Sequence, residues 1–150
     1  MPSTAETLLA IEEIKKLKAR YFRFMDLHDW DGLAEVFAQD CVFDPHGALE
    51  EEPDKTGLEP IRGREAAVDH IRSGISPIKS AHFGHMPEIE ILSDTEATGI
   101  WSLLDILRPP GGEPFVLFRG YGHYHETYSK ADGTWRIASL RITRMLVEMT

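Results

Sequence analysis

Four side chains in this chain could move protons: Tyr21, Asp26, His82 and Asp105. Asp26 falls near the end of a helical stripe that is otherwise apolar. A helix C-terminus disfavours an acid by a few tenths of a kcal/mol or more, so a carboxylate there wants a partner. A histidine beside a buried carboxylate becomes a competent base, because the carboxylate fixes its tautomer and stabilises the imidazolium. His82, in Lys79-Ser80-Ala81-His82-Phe83-Gly84-His85, is the candidate. Tyr21 precedes Asp26 by five residues, about 140° of helical rotation. The two therefore flank a wide face, from which both can look into a concave pocket. Asp105 shares a strand face with Trp101, Leu103 and Leu107, which marks it as a mistaken strand limit or a pocket group. Taken singly, Tyr21 reads as a core aromatic and His82 as a surface histidine.

His123 and His125 form an H-x-H on one strand face, a spacing that suits a metal. No third ligand is visible, and Arg119 and Tyr121 precede them on that face, so a polar interface is the better reading. The opposite face carries Gly120, Gly122, Tyr124 and Glu126. Two glycines in a strand open space for a ligand or mark a sharp bend.

These residues need elements to hold them. Ile11, Ile14, Leu17, Tyr21 and Met25 recur at helical spacing, which predicts one helix from about Thr4 to Leu27. Asp29-Trp30-Asp31-Gly32 caps a short second helix through Phe37. Cys41-Val42-Phe43 reads as a short strand ending at Asp44-Pro45. Residues 45–62 hold Gly47, Pro53, Gly57, Pro60 and the acidic run Glu50-Glu51-Glu52, a long loop of the kind that serves as a lid. Ala67, Val68, Ile71 and Ile75 predict a third helix over Gly63 to Ile75. Strands follow: two short ones over His82 to Leu92 pivoting near Pro87, then Ala97–Leu107, Phe115–Tyr128 and Trp135–Met149. Three helices and then a meander is an α+β layout, with helices on one face of a mostly antiparallel sheet. In strict alternation the last strand puts Trp135, Ile137, Met145, Val147 and Met149 on one face, and Ala138, Leu140, Ile142 and Leu146 on the other. A sheet with one wet face should alternate apolar and polar. Both faces here are apolar, so a second subunit is expected over the outer one, in a dimer or trimer.

Composition narrows the classes. The length of 150 residues fits one domain, residues 1–150. The formal charge of −9 argues against nucleic acid and against an anionic membrane surface. The single Cys41 excludes an intrachain disulfide and a cysteine-built zinc site. No apolar run approaches the roughly 20 residues of a membrane helix. The first residues lack the layout of a signal peptide, so a cytoplasmic protein is expected.

The string Tyr21-(x4)-Asp26-(x3)-Trp30-Asp31-Gly32-Leu33-(x3)-Phe37 resembles the first helices of the nuclear-transport-factor-two-like superfamily. Gly122-His123-Tyr124, Tyr128 and Asp132-Gly133-Thr134-Trp135-Arg136-Ile137 resemble its final strand pair. The resemblance covers essentially the whole chain. It is closest to the SnoaL-like branch that includes scytalone dehydratase, bile-acid 7α-dehydratase and lindane dehydrochlorinase. It implies a cone-shaped α+β barrel of the cystatin-like kind, in which a strongly curved sheet packs on three N-terminal helices around a deep apolar pocket. It further implies that Asp26 is the helix aspartate of a dehydratase-type dyad and His82 its base. Tyr21 and Asp105 resemble a tyrosine and a pocket acid of the bile-acid enzyme. Scytalone dehydratase has tyrosines where Met25 and, nearby, Phe43 stand here, which points away from scytalone itself.

The resulting expectation is a lyase acting on a small apolar, oxygenated ring compound without cofactor or metal. His82 abstracts a proton next to a carbonyl, Asp26 holds it, and Tyr21 stabilises the developing oxyanion. Asp105 orients His82 or assists the leaving group. Tyr21, Asp26, His82, Asp105 and Tyr124 are expected in one cavity walled by Phe22, Trp101 and Phe118. Two alternatives stand beside it. Asp44-Pro45-His46-Gly47 resembles the aspartate-base string of ketosteroid isomerase, which would use Tyr21 and Asp44. The same fold also serves small-ligand carriers that catalyse nothing.

Overall fold

The computed structural model describes residues 1–48 and 58–150. The acidic run Glu50-Glu51-Glu52, with Pro53 and Gly57, lies outside them, so the lid expectation for that stretch falls outside the described residues.

Helix α1 spans Thr4–Asp26. Ser3 and Glu6 form a reciprocal capping box at its start, with Ser3 N donating to Glu6 Oε2 at 2.8 Å and Glu6 N to Ser3 Oγ at 3.3 Å. Its buried stripe is Ala10, Ile14, Leu17, Lys18, Tyr21 and Met25. His28, at φ +60°, takes the left-handed turn that ends the helix. Asp29 then caps α2 (Trp30–Val36) by accepting from Gly32 N at 2.9 Å. A β carbon at Gly32 would press on the Asp29 carboxylate, which accounts for the glycine. Helix α3 (Arg64–Ile75) begins after Gly63 and is tied to the first strand by Arg64, whose Nε and Nη2 donate to the Phe37 carbonyl at 3.0 and 2.7 Å.

The strands are β1 (Phe37–Asp44), β2 (Ile61–Arg62), β3 (Lys79–Ile91), β4 (Glu96–Arg108), β5 (Phe118–Ala131) and β6 (Thr134–Met149). They form one curved mixed sheet in the order β2-β1-β6-β5-β4-β3, antiparallel except for the β1–β6 pair. The architecture is the expected α+β cone, with three helices packed on the sheet, which does not close. The core lies between the helices and the concave face, where Tyr124, Tyr128, Ile137 and Leu140 meet Ile14, Leu17 and Leu33. No helix among the described residues is long and apolar enough to cross a membrane.

Besides β2, which falls in the segment read as a loop, and β5, which starts at Phe118 rather than Phe115, three elements differ from the sequence expectation. β1 begins at Phe37, directly where α2 ends, rather than at Cys41. Its carbonyl at Phe37 is already taken by Arg64, which fixes the extended path. The two short strands around Pro87 are one strand, β3, whose pairing with β4 slips between His85 and Glu88. A bulge there absorbs Met86 and the proline, so the strand survives both.

The third difference concerns β6. Its pairing with β5 steps from Ser139 to Ile137 opposite Thr127 and Tyr128, leaving out Ala138. It steps again from Leu146 to Arg144 opposite Tyr121 and Gly122, leaving out Met145. Each bulge inverts the side-chain phase. Trp135, Ile137, Leu140, Ile142, Arg144, Val147 and Met149 therefore share the concave side. Arg136, Ser139, Arg141 and Thr143 face outward, with Leu146 beyond them. The two apolar faces read from strict alternation are one apolar face with two phase changes.

Candidate active site

Asp26 closes α1, and β3 runs past it. Its carboxylate collects three hydrogen bonds from that strand. His82 N donates to Oδ2 at 2.8 Å, Ser80 Oγ donates to Oδ1 at 2.7 Å, and His82 Nδ1 stands 2.6 Å from Oδ1. A carboxylate accepts, so Nδ1 is the donor in this contact, and in the neutral ring Nε2 keeps its lone pair. Ser80 and His82, two residues apart, share one face of β3. The His82 side chain is 7% exposed and that of Asp26 22%. A proton taken up at Nε2 would thus create an imidazolium in direct contact with its counter-charge.

His82 is one wall of a cavity of about 410 Å³ that reaches from α1 to the loop before β5. Tyr21, Asp105, Tyr124 and Phe118 line it too. Its other surfaces are mostly apolar: Ile71, Ile75 and Ile78 from α3 and its exit, and Leu107 and Phe115 opposite. Met25 and Phe43 also face it and add apolar surface. Asp26 is not in the lining; it stands behind His82. Phe22 and Trp101 also stand behind the lining, both against Gly84, where a β carbon would press on both rings. Tyr21 is fully buried. Burial, then the negative charges of Glu126, Asp105 and Asp26, push its phenol well above the ordinary value, so it remains a hydrogen-bond donor.

Asp105 does not hold His82, although the two are register partners on β3 and β4. Its oxygens are occupied by Arg144, whose Nη1 and Nη2 donate at 2.7 and 2.9 Å in a bidentate pair. Gly120 of β5 makes room for it: a β carbon there would collide with both partners. Arg144 lines the cavity and was not anticipated, because the first β6 bulge turns the run Leu140, Ile142, Arg144 inward. Gly120 is the available signal, since the space it opens is filled by this guanidinium, whereas Gly122 lets the β6 backbone at Thr143 approach.

Behind the cavity lies a second ion pair. Lys18 Nζ is 2.6 Å from Glu126 Oε2, and both side chains are fully buried. Tyr128 donates to Glu126 Oε1 at 2.6 Å and accepts from Trp101 Nε1 at 2.9 Å. Lys18 sat within the apolar stripe of α1 in the sequence, three residues before Tyr21, and that placement was its signal. With it, each of the carboxylates Asp26, Asp105 and Glu126 has one basic partner: His82, Arg144 and Lys18.

Asp44 does not line the cavity. Its Oδ1 accepts from His46 N at 3.2 Å, capping the turn that follows β1. His123 and His125 lie on the outer face with ring centroids 6.2 Å apart, and His125 Nε2 is 3.0 Å from Thr143 Oγ1. Among the described residues no group of three metal-ligating side chains forms there or elsewhere.

Known proteins agree with this fold. A scytalone dehydratase-like protein from Novosphingobium aromaticivorans superimposes with a TM-score of 0.83 at 22% identity, over 97% of this chain and 91% of its own. The hexachlorocyclohexane dehydrochlorinase LinA-type3 from Novosphingobium barchaimii gives 0.79 at 19% identity, over 99% and 94%. The Gibberella zeae protein named "Probable cyclase FGR4" is 25% identical over 133 residues, 88% of this chain and 89% of that one. Residues 6–141 match the SnoaL-like domain, and the chain belongs to that family.

Proposed function

We propose that this protein is a small-molecule lyase that removes a proton next to a carbonyl and expels water or another leaving group. His82 Nε2 takes the proton, Asp26 orients the ring and balances the imidazolium, and Tyr21 donates to the oxygen on which charge develops. The Arg144–Asp105 pair meets the leaving group. The substrate is apolar, cyclic and oxygenated, in keeping with mostly hydrophobic walls broken by a few polar groups. The observation that carries this reading is the 2.6 Å contact between Asp26 and His82 at the wall of a cavity that Tyr21 also lines. The family and its cyclase-named relative support a small-molecule role, and dehydratase- and dehydrochlorinase-named structural neighbours favour elimination chemistry within it.

The test needs no natural substrate. In D2O, the α-protons of a ring ketone such as 2-tetralone should exchange faster with the protein than without it, read by proton NMR. His82→Ala should return exchange to the solvent rate, while Asp44→Asn should leave it unchanged. A protein that binds the ketone without accelerating exchange would be a carrier, and the lyase reading would fall.

We also propose a homo-oligomer, a dimer or trimer, assembled through the outer face of the sheet. With β6 in its observed phase, the support is a row in register across four strands: Phe83, Leu104, Tyr121 and Leu146. Phe83 is 43% and Leu146 52% exposed in the single chain.

A further inference from the structure

We propose that Lys18 is a positioning residue for the pocket: clamped to Glu126, its ammonium sits against the rings of Tyr21 and Tyr124 and strengthens their hydroxyls as donors to a substrate oxygen. The inference rests on the lyase reading above and deepens it.

Lys18 Nζ lies 3.9 Å from the ring centroid of Tyr21 and 3.6 Å from that of Tyr124. The Phe22 ring is next, at 4.9 Å. The two tyrosine rings meet edge to face, with centroids 6.1 Å apart and planes at 81°. One cation therefore serves both pocket tyrosines. Neither Lys18 nor Glu126 lines the cavity, so neither touches a substrate. A buried ion pair is weak evidence for stability, because apolar side chains of similar volume often do as well. Its placement is better explained by what it does to the rings. A cation on a π face is held by the ring's negative quadrupole and draws electron density away from the phenol oxygen. The O–H becomes more polar, and the low-dielectric setting prevents water from screening the effect.

The surroundings make such help necessary. Burial above all, and then Glu126, Asp105 and Asp26, push the Tyr21 phenol up, against the formation of negative charge near its oxygen. Lys18 is the cation nearest that ring among the described residues. Burial lowers the Lys18 ammonium to about 8 while Glu126 holds it up, so it is charged at neutral pH.

The carbonyl stretch of bound 2-tetralone reports donor strength directly. With the native chain, the infrared band should move to lower frequency than in water, and Tyr21→Phe should remove most of that shift. The double variant Lys18→Met/Glu126→Gln, which keeps an acceptor for Tyr128, should lose about half of it or more. Raising the pH through about 8 should relax the shift in the native chain. That titration tests the idea even if the double variant does not fold. A shift that vanishes in Tyr21→Phe but survives both the double variant and the titration overturns the role of Lys18 and leaves the lyase reading standing. A native chain that binds the ketone with no shift overturns both.

Discussion

Asp26 holds His82 at two points, its backbone N–H through Oδ2 at 2.8 Å and its ring through Oδ1 at 2.6 Å. The strand and the imidazole are thereby fixed to one carboxylate, so the ring cannot turn its other nitrogen to the carboxylate without losing the contact. His82→Ala should cost roughly 10²–10⁴ in catalysed α-proton exchange, the usual contribution of a general base. Asp26→Asn should also be severe, since the amide removes the charge that balances the imidazolium. Tyr21→Phe should cost about 10²–10³ if it is one oxyanion donor. Circular dichroism on each variant separates chemistry from folding. Native exchange rates in both His82→Ala and Asp26→Asn would remove the mechanism.

Ser80 supplies the third hydrogen bond to Asp26, at 2.7 Å. A hydrogen bond to a charged group contributes about 1.5–3 kcal/mol. Ser80→Ala should therefore slow exchange by roughly tenfold or more, and Ser80→Thr, which keeps the hydroxyl, should restore most of it. An unchanged rate in Ser80→Ala would mean that His82 alone orients the carboxylate.

How much of this could be read in the sequence follows from how local each cause is. Helical periodicity located α1 to within a residue, because a buried stripe depends only on spacing along one segment. The positions of Tyr21, Asp26 and His82 came from a helix-end acid, a strand histidine and a family resemblance acting together. Arg144, Ser80 and the Lys18–Glu126 pair were not read. Arg144 depends on the β6 bulge at Ala138, and a bulge is a property of two strands in register rather than of one sequence run. Lys18 was hidden by its type, since a lysine inside an apolar stripe is normally counted as an interruption that reaches out to water. Glu126, its partner, lies 108 residues away.

Gly120 carries a prediction about packing. Its missing side chain leaves the space through which Arg144 reaches Asp105. Gly120→Ala would force that pair apart or bend β5, an overpacking cost of about 1–3 kcal/mol. For a chain of this size that lowers Tm by roughly 2–4 °C per kcal/mol, measurable by scanning calorimetry. Gly74→Ala is the control, because nothing lies within 4 Å of where its β carbon would be. Equal melting temperatures for the two variants would contradict the steric argument.

The outer row of Phe83, Leu104, Tyr121 and Leu146 predicts association. Light scattering at micromolar concentration should report a mass above the 17.0 kDa of one chain. A charge placed in the row, as in Leu146→Lys, should shift the population toward the monomer while the far-ultraviolet spectrum is unchanged. A native chain that runs as a monomer would remove the proposed assembly.

Stability should depend on alkaline pH in two opposing ways. Burial lowers Lys18 from 10.5 to about 8, so between those values the unfolded chain binds more protons than the folded one. Stability from this group therefore rises with pH, by at most about 1.4 kcal/mol per pH unit. Cys41 works the other way. Burial raises its thiol from 9.0 to about 11, so the folded chain holds the proton that the unfolded chain has released, and stability falls across that window. Tyr21, Tyr124 and Tyr128 are all raised above 10.0, chiefly by burial, and add to the fall at higher pH. The sum is a stability maximum near pH 9. Urea denaturation at pH 7, 8, 9 and 10.5 should show the midpoint rise and then drop. In Lys18→Met/Glu126→Gln the rise should disappear and the drop remain. A native midpoint that declines steadily from pH 7 would mean that the Lys18 ammonium is not lowered by its burial.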